Sequence, residues 1–364
     1  MRVRQYQLDF LRGVAATYVV INHSRGDFFV GGQRLLADHH PGVWKYLTIL
    51  LLQATSLGTE MVILFFVLSG FAMAHSVSRS SSIPMFYAKR IIRIWPPYIA
   101  ATLLAFAIAS LVGFQFHLFE VIFYLHPETR VTGQFWSLPY EVVFYALCPL
   151  VVAGRRNAML FAIAASAGLV VTVALRGVIL NPWDSHFFLN FLGNEMFFFA
   201  CGAMAYWHFD RIPVVSHRIL GVAVAGAFVL TATLKFAIGD SNVLCTLVVI
   251  SATILTLRNI PEKLPKWANL GSFSYSIYIY HFALLVLLSW GLSRFGVDSK
   301  AIRNPFIWML VPPPLIGACY MLYLVTEKPC NRIVASLRKP RSEAVEERTN
   351  LVVPAQSPAS TPHN

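Results

Sequence analysis

Apolar runs of about 18 residues or more recur along this chain, and a lipid bilayer is the solvent such runs fit. Roughly 20 helical residues, rising 1.5 Å each, cross about 30 Å of hydrocarbon. The runs read as spans near 7–24, 57–76, 94–113, 135–153, 158–175, 187–207, 219–237, 241–257, 270–290 and 306–326. Composition agrees: with 57% hydrophobic and 13% charged residues over 364 positions, a water-soluble globule would lack the polar surface to cover its core. Two more stretches, 44–56 and 114–126, are short or amphipathic and are expected to lie in the interface or to re-enter. Asp9 and Arg12 interrupt the first run, which therefore reads as a retained helix rather than a cleaved signal peptide. The expected fold is all-α, a polytopic integral membrane protein of about ten transmembrane helices. Residues 1–335 form its membrane domain, and 336–364, charged and then rich in Pro, Ser and Thr, a disordered cytoplasmic tail.

Basic residues orient these spans. Of the 29 Lys and Arg, 19 fall on the side that holds both termini and 9 on the other, with Arg12 inside the first span. Both termini are therefore expected in the cytoplasm. All eight Trp, at positions 44, 95, 136, 183, 207, 267, 290 and 308, fall at or near proposed span ends, where an indole meets both lipid and water. The net charge of +12 follows from these alternating loops and requires no nucleic-acid partner. The five cysteines, Cys148, Cys201, Cys245, Cys319 and Cys330, lie in or beside apolar segments without metal-ligand or paired spacing, and read as small buried hydrophobes.

Charge inside hydrocarbon is costly, so ionisable residues that interrupt spans mark a protein-lined cavity. Arg12 and His23 are eleven residues apart, three turns plus about 20°, and share one face at roughly 16 Å separation along the axis. The bland alternative pairs Arg12 with Asp9 and leaves His23 to cap the outer end. Lys89, Arg90 and Arg93 cluster ahead of Pro96 and Pro97; they serve either as a topology anchor or as a cradle for phosphate groups. Ser137, Glu141, Tyr145 and Cys148 form one helical stripe, which sets Glu141 inside the outer half of its span. Ser274, Tyr278 and His281 form another near mid-depth, where His281 serves chemistry or simply bonds a tyrosine.

Taken in order, LDFLRG with Arg12, His23, FFVLSGF at 65–71, KRIIRIWPPY at 89–98, WSLPYEVVFY at 136–145, LGSFSYSIYIYH at 270–281 and the Glu327-Lys328-Pro329 triplet resemble the acyltransferase 3 family of integral membrane O-acyltransferases that modify surface and secreted glycans. The strings cover nearly the whole membrane region. Lys89 stands where an Arg is common, keeping charge but losing the guanidinium fork. The resemblance implies a membrane-only enzyme, expected in a bacterial inner membrane, that binds no cofactor tightly and no metal. Its expected partners are cytoplasmic acyl-CoA, with acetyl the default group, a saccharide hydroxyl and the lipid bilayer. His23, Arg12, Glu141 and His281 are the catalytic candidates, with His23 either a general base or a transient acyl carrier and Glu141 orienting His23 or the acceptor. Lys89, Arg90, Arg93 and Ser69 are the donor-binding candidates, and Trp136, Ser137, Tyr275 and Tyr278 the acceptor-facing or orienting ones. A secondary transporter and a non-catalytic component of a glycan export assembly remain as rival readings, although no internal repeat supports the first.

Overall fold

The computed structural model describes residues 5–29, 42–80, 82–176, 194–238, 243–261, 266–302 and 304–337. Among them are fourteen α-helices and no strand: α1 (Gln5–Phe28), α2 (Val43–Ala54), α3 (Gly58–Ser78), α4 (Ile83–Val112), α5 (Leu118–Ile122), α6 (Leu138–Val151), α7 (Arg155–Arg176), α8 (Met196–Trp207), α9 (His217–Ile238), α10 (Val243–Asn259), α11 (Ser274–Arg294), α12 (Pro305–Met309), α13 (Pro312–Val325) and α14 (Glu327–Ser336).

Among the described residues, six helical stretches are long and apolar enough to cross a membrane: Lys45–Ser78, Ile83–Val112, Arg155–Ala174, His217–Ile238, Leu270–Arg294 and Pro305–Val325. The protein is a multi-pass integral membrane protein. Helices also fill the described parts of the other four expected spans, as α1, α6, α8 and α10. Residues 187–193 of the sixth span, 241 and 242 of the eighth, and all but the first two residues of the expected tail lie outside the described residues. Exposure sorts the helices by role. On α9 only 17% of the apolar stretch is buried, and Val222, Val229 and Phe236 face outward, a surface suited to lipid. Helix α1 is the opposite case, with 24 residues that include Asp9, Arg12, His23, Arg25 and Asp27. It packs against α3, α11, α13 and the 3-10 segment Lys266–Phe273, so protein rather than lipid surrounds its polar groups.

Two glycine crossings set how closely helices approach. A Cβ on Gly70 would lie 2.0 Å from the Phe199 carbonyl oxygen and one on Gly202 1.9 Å from that of Val67, so α3 and α8 meet backbone to backbone. A Cβ on Gly271 would fall 1.5 Å from the Asp9 carbonyl oxygen, and one on Gly13 would lie 2.6 Å from the Gly271 nitrogen. Any side chain at either crossing would force the elements apart. The second crossing pins the polar helix α1 to the segment that leads into α11.

The short stretch 44–56 forms α2, which ends in a break before α3. Breaking a helix frees backbone carbonyls, and each here meets a side chain. Arg25 Nη1 donates to Leu52 O at 2.5 Å, Tyr18 to Ala54 O at 2.6 Å, and Asn22 Nδ2 to Thr55 O at 2.8 Å. Lys235 of α9 donates to Ser56 O at 2.8 Å and pairs with Glu60 at 3.0 Å, in the first turn of α3. The Leu57 N–H donates back to the Tyr18 hydroxyl at 3.1 Å.

The amphipathic stretch 114–126 folds back along α4. Gly113 closes α4 in the left-handed conformation, φ 84°, and reverses the chain. The returning segment packs Phe116 against Phe106, accepts a hydrogen bond from the Tyr98 hydroxyl at Val121 O, and stacks Tyr124 on Tyr98 at 4.5 Å. Tyr98 lies fourteen residues, about 21 Å, before the end of α4. The loop thus reaches the middle of α4 before a 3-10 turn, Gly133–Ser137, starts α6. Helix α6 has only 14 residues, about 21 Å, and its N-terminus lies beside Tyr278 in α11.

Candidate active site

Where α1, α3, α4, α6 and α11 converge they enclose a cavity of about 830 Å³, counting its open mouth. Eight of the residues expected from sequence line it: Arg12, Ser69, Arg90, Arg93, Ser137, Glu141, Tyr275 and Tyr278. Each arrives for a local reason. The Gly13–Gly271 crossing holds Arg12 against the start of α11. Ser82 caps α4 by accepting from Met85 N at 3.3 Å, and the helix then carries Arg90 and Arg93 on adjacent turns. Tyr275 donates to Ile94 O at 3.2 Å and Tyr280 to Pro97 O at 3.3 Å, fastening α11 to α4 around the Pro96–Pro97 pair.

Three guanidinium groups and one carboxylate line the cavity, which is therefore suited to an anionic ligand. Arg90 lies over the Phe86 ring at 4.7 Å and its Nε approaches the Met73 sulfur at 3.3 Å. Among the described residues none of the three arginines forms a salt bridge within 4.0 Å. Glu141 accepts from Ser69 at 3.1 Å and from the Tyr145 hydroxyl, both at Oε1. It sits in the arginine-lined cavity, and its partners are Ser69 and Tyr145 rather than His23.

Tyr278 marks one end of the cavity. Its hydroxyl donates to Gln134 O at 2.7 Å, and since that proton is committed, Ser137 must donate to the Tyr278 oxygen at 2.5 Å. The Gln134 side chain adds a bond to Ile279 O at 3.0 Å. Ser137 and Tyr278 thus latch the start of α6 to α11. The Tyr278 ring lies 6.2 Å from that of His281, beyond the lining. There His281 Nε2 meets His23 Nδ1 at 2.8 Å, the rings 17° from parallel, with the edge of Phe282 against His23 at 5.3 Å. Lys89 and Trp136 do not line the cavity; Trp136 packs edge-on to Tyr140.

Two positioning groups escaped the sequence reading. Gln134 is buried and polar, two residues ahead of the WSLPYEVVFY string. Glu327, noticed as part of a triplet but given no role, reaches across to accept from the backbone N–H of Ser276 at 3.0 Å and from its hydroxyl at 2.6 Å. The N-cap residue of α11, Phe273, has no capping side chain, and Glu327 supplies that function from another helix.

The acyltransferase 3 sequence profile, described as an acyltransferase domain, matches residues 5–326. The chain belongs to the acyltransferase 3 family. It is accordingly an O-acyltransferase. It is similar to the exopolysaccharide production protein ExoZ of Rhizobium meliloti (strain 1021), with 28% identity over 76% of this chain and 90% of that protein. Nodulation protein 10 of Rhizobium leguminosarum bv. viciae is 23% identical over 90% of this chain and 94% of its own length. The O-acetyl transferase of Shigella phage Sf6 is 24% identical over 81% and 90%. No solved structure matches the chain.

Proposed function

We propose that this acyltransferase moves an acyl group, acetyl by default, from cytoplasmic acyl-CoA to a saccharide hydroxyl. The observation that carries the reading is the cavity itself, with Arg12, Arg90 and Arg93 in its lining and the His23–His281 pair just past Tyr278. The arginines would hold the donor's phosphates or carbonyl oxygens, while the narrow thioester arm runs towards the histidines. His23 would take the proton of the attacking hydroxyl; the new ester forms as the C–S bond breaks, and the proton passes to the departing CoA sulfur. The saccharide assignment is supported by the relative named for exopolysaccharide production, and the acetyl default by the one named an O-acetyl transferase.

The same reading includes ten crossings with both termini in the cytoplasm, the membrane domain ending near residue 335, and a bacterial inner membrane as the location. It is supported by the charge asymmetry and by helices in the described part of every expected span. Purified protein in lipid vesicles, given acetyl-CoA labelled in the acetyl group and a saccharide acceptor, should transfer label to the acceptor. Uptake of saccharide without loss of the thioester would instead make the chain a transporter.

A further inference from the structure

The two histidines beyond Tyr278 are not equivalent, and their hydrogen bonds fix where each proton sits. His281 is fully buried, and its Nδ1 lies 2.9 Å from the Ile277 carbonyl oxygen. A carbonyl only accepts, so His281 Nδ1 bears a proton. A second proton on its Nε2 would make His281 a cation whose described partners, His23, Ile277 and the rings of Tyr278 and Phe282, include no carboxylate. Such an uncompensated buried charge is strongly disfavoured. His281 Nε2 is therefore a bare acceptor. It faces His23 Nδ1 at 2.8 Å, and that contact is a hydrogen bond only if His23 bears its proton on Nδ1.

We propose that His281 is a positioning residue that locks His23 in the Nδ1-protonated tautomer, leaving His23 Nε2 as the one nitrogen of the pair free to take the acceptor's proton. The chemical consequence rests on the acyl-transfer reading above; the tautomer itself rests on geometry. His23 Nε2 gains the hydroxyl proton as the acceptor oxygen bonds to the thioester carbon, and gives it to the CoA sulfur when the C–S bond has broken. Throughout, the Nδ1 proton stays between the two rings and steadies the imidazolium. A transient acyl-histidine would use the same nitrogen, so the assignment holds for both roles left open by the sequence. His281 thus does for His23 what a carboxylate does for the base in many hydrolytic sites, but as a neutral acceptor.

Two measurements test this. Solid-state nitrogen-15 NMR of histidine-labelled full-length protein in bilayers, with His23 assigned by its loss in His23→Gln, should show a protonated Nδ1 and an unprotonated Nε2. The opposite tautomer in active enzyme overturns the proposal and leaves the acyl-transfer reading intact, whereas the expected tautomer in a protein that transfers no acyl group sinks that reading alone. In kinetics, His281→Gln keeps an acceptor of similar reach and should retain kcat within about tenfold, while His281→Met, without one, should lose about 10²- to 10⁴-fold. The KM for acyl-CoA should stay unchanged in both. Equal losses in the two variants would make His281 itself the proton carrier, and equal retention would make it packing; either result overturns the assignment.

Discussion

The arginine-lined cavity and the break between α2 and α3 both bury charge within the helical bundle, but they treat it in opposite ways. At the break, Lys235 is matched to Glu60 and Ser56 O, and Arg25 to Leu52 O. In the cavity, Arg12, Arg90 and Arg93 have no ion pair among the described residues, and Glu141 has both of its hydrogen bonds on one oxygen. A charge already satisfied by its own protein can only hold structure, whereas one left unmatched is available to a ligand. The contrast predicts which charges can be removed without harming the fold.

The largest expected effect is at the break. Lys235→Met leaves Glu60 unmatched at 2% exposure and should cost about 3–5 kcal/mol, read as lost expression or a lowered melting point in detergent, with much of it recovered in Lys235→Met/Glu60→Leu. Should the single variant melt like the wild type, the division between paired and unpaired charge fails. In the cavity, Arg90→Gln with Arg93→Gln should instead leave the melting point unchanged and raise the KM for acyl-CoA about 10- to 100-fold. An acyl-pantetheine fragment without the nucleotide phosphates should be affected far less, and equal effects would reduce the arginines to a topology anchor. Arg12→Lys retains charge but loses the planar fork, so acyl transfer should fall about tenfold while insertion persists. The smallest effect sharpens the comparison from the uncharged side. In Tyr278→Phe the Gln134 carbonyl and the Ser137 hydroxyl each lose a partner, so stability should drop by about 1–2 kcal/mol with the donor KM unaltered.

Hydropathy made the helical bundle legible because lipid imposes a length and an apolarity on every crossing. It failed at α6. The run at 135–153 is largely apolar, broken by Ser137 and Glu141, yet its first residues form a 3-10 turn, because Gln134 bonds to Ile279 and Tyr278 pulls on Gln134 O, contacts more than 140 residues away in sequence. The helical stripe Ser137, Glu141 and Tyr145 was correctly placed on one face, since a period of 3.6 is local information. The partner of Glu141 was not, because Ser69 lies 72 residues away and no pattern within α6 records it. The same holds for His23 and His281, separated by 258 residues. Arg12 and His23 were singled out for sharing a face, and that face does turn towards the cavity and the histidine pair, but only the crossing at Gly13 and Gly271 decides how far in they reach.

Helix α1 carries a second stripe, with Tyr18, Asn22 and Arg25 spaced by four and three residues and all directed at the break. The helix is therefore indexed twice, once by the cavity it lines and once by the carbonyls it caps. Deleting one residue between Gly13 and Tyr18 would turn everything beyond by 100° and shift it 1.5 Å, stripping Tyr18, Asn22 and Arg25 from their acceptors and parting His23 from His281 together. This stretch should consequently absorb substitution at exposed Val14, less readily at buried Ala15 and Ala16, and no change in length at all. A register error here would disable the chain even if each individual residue remained acceptable where it stood.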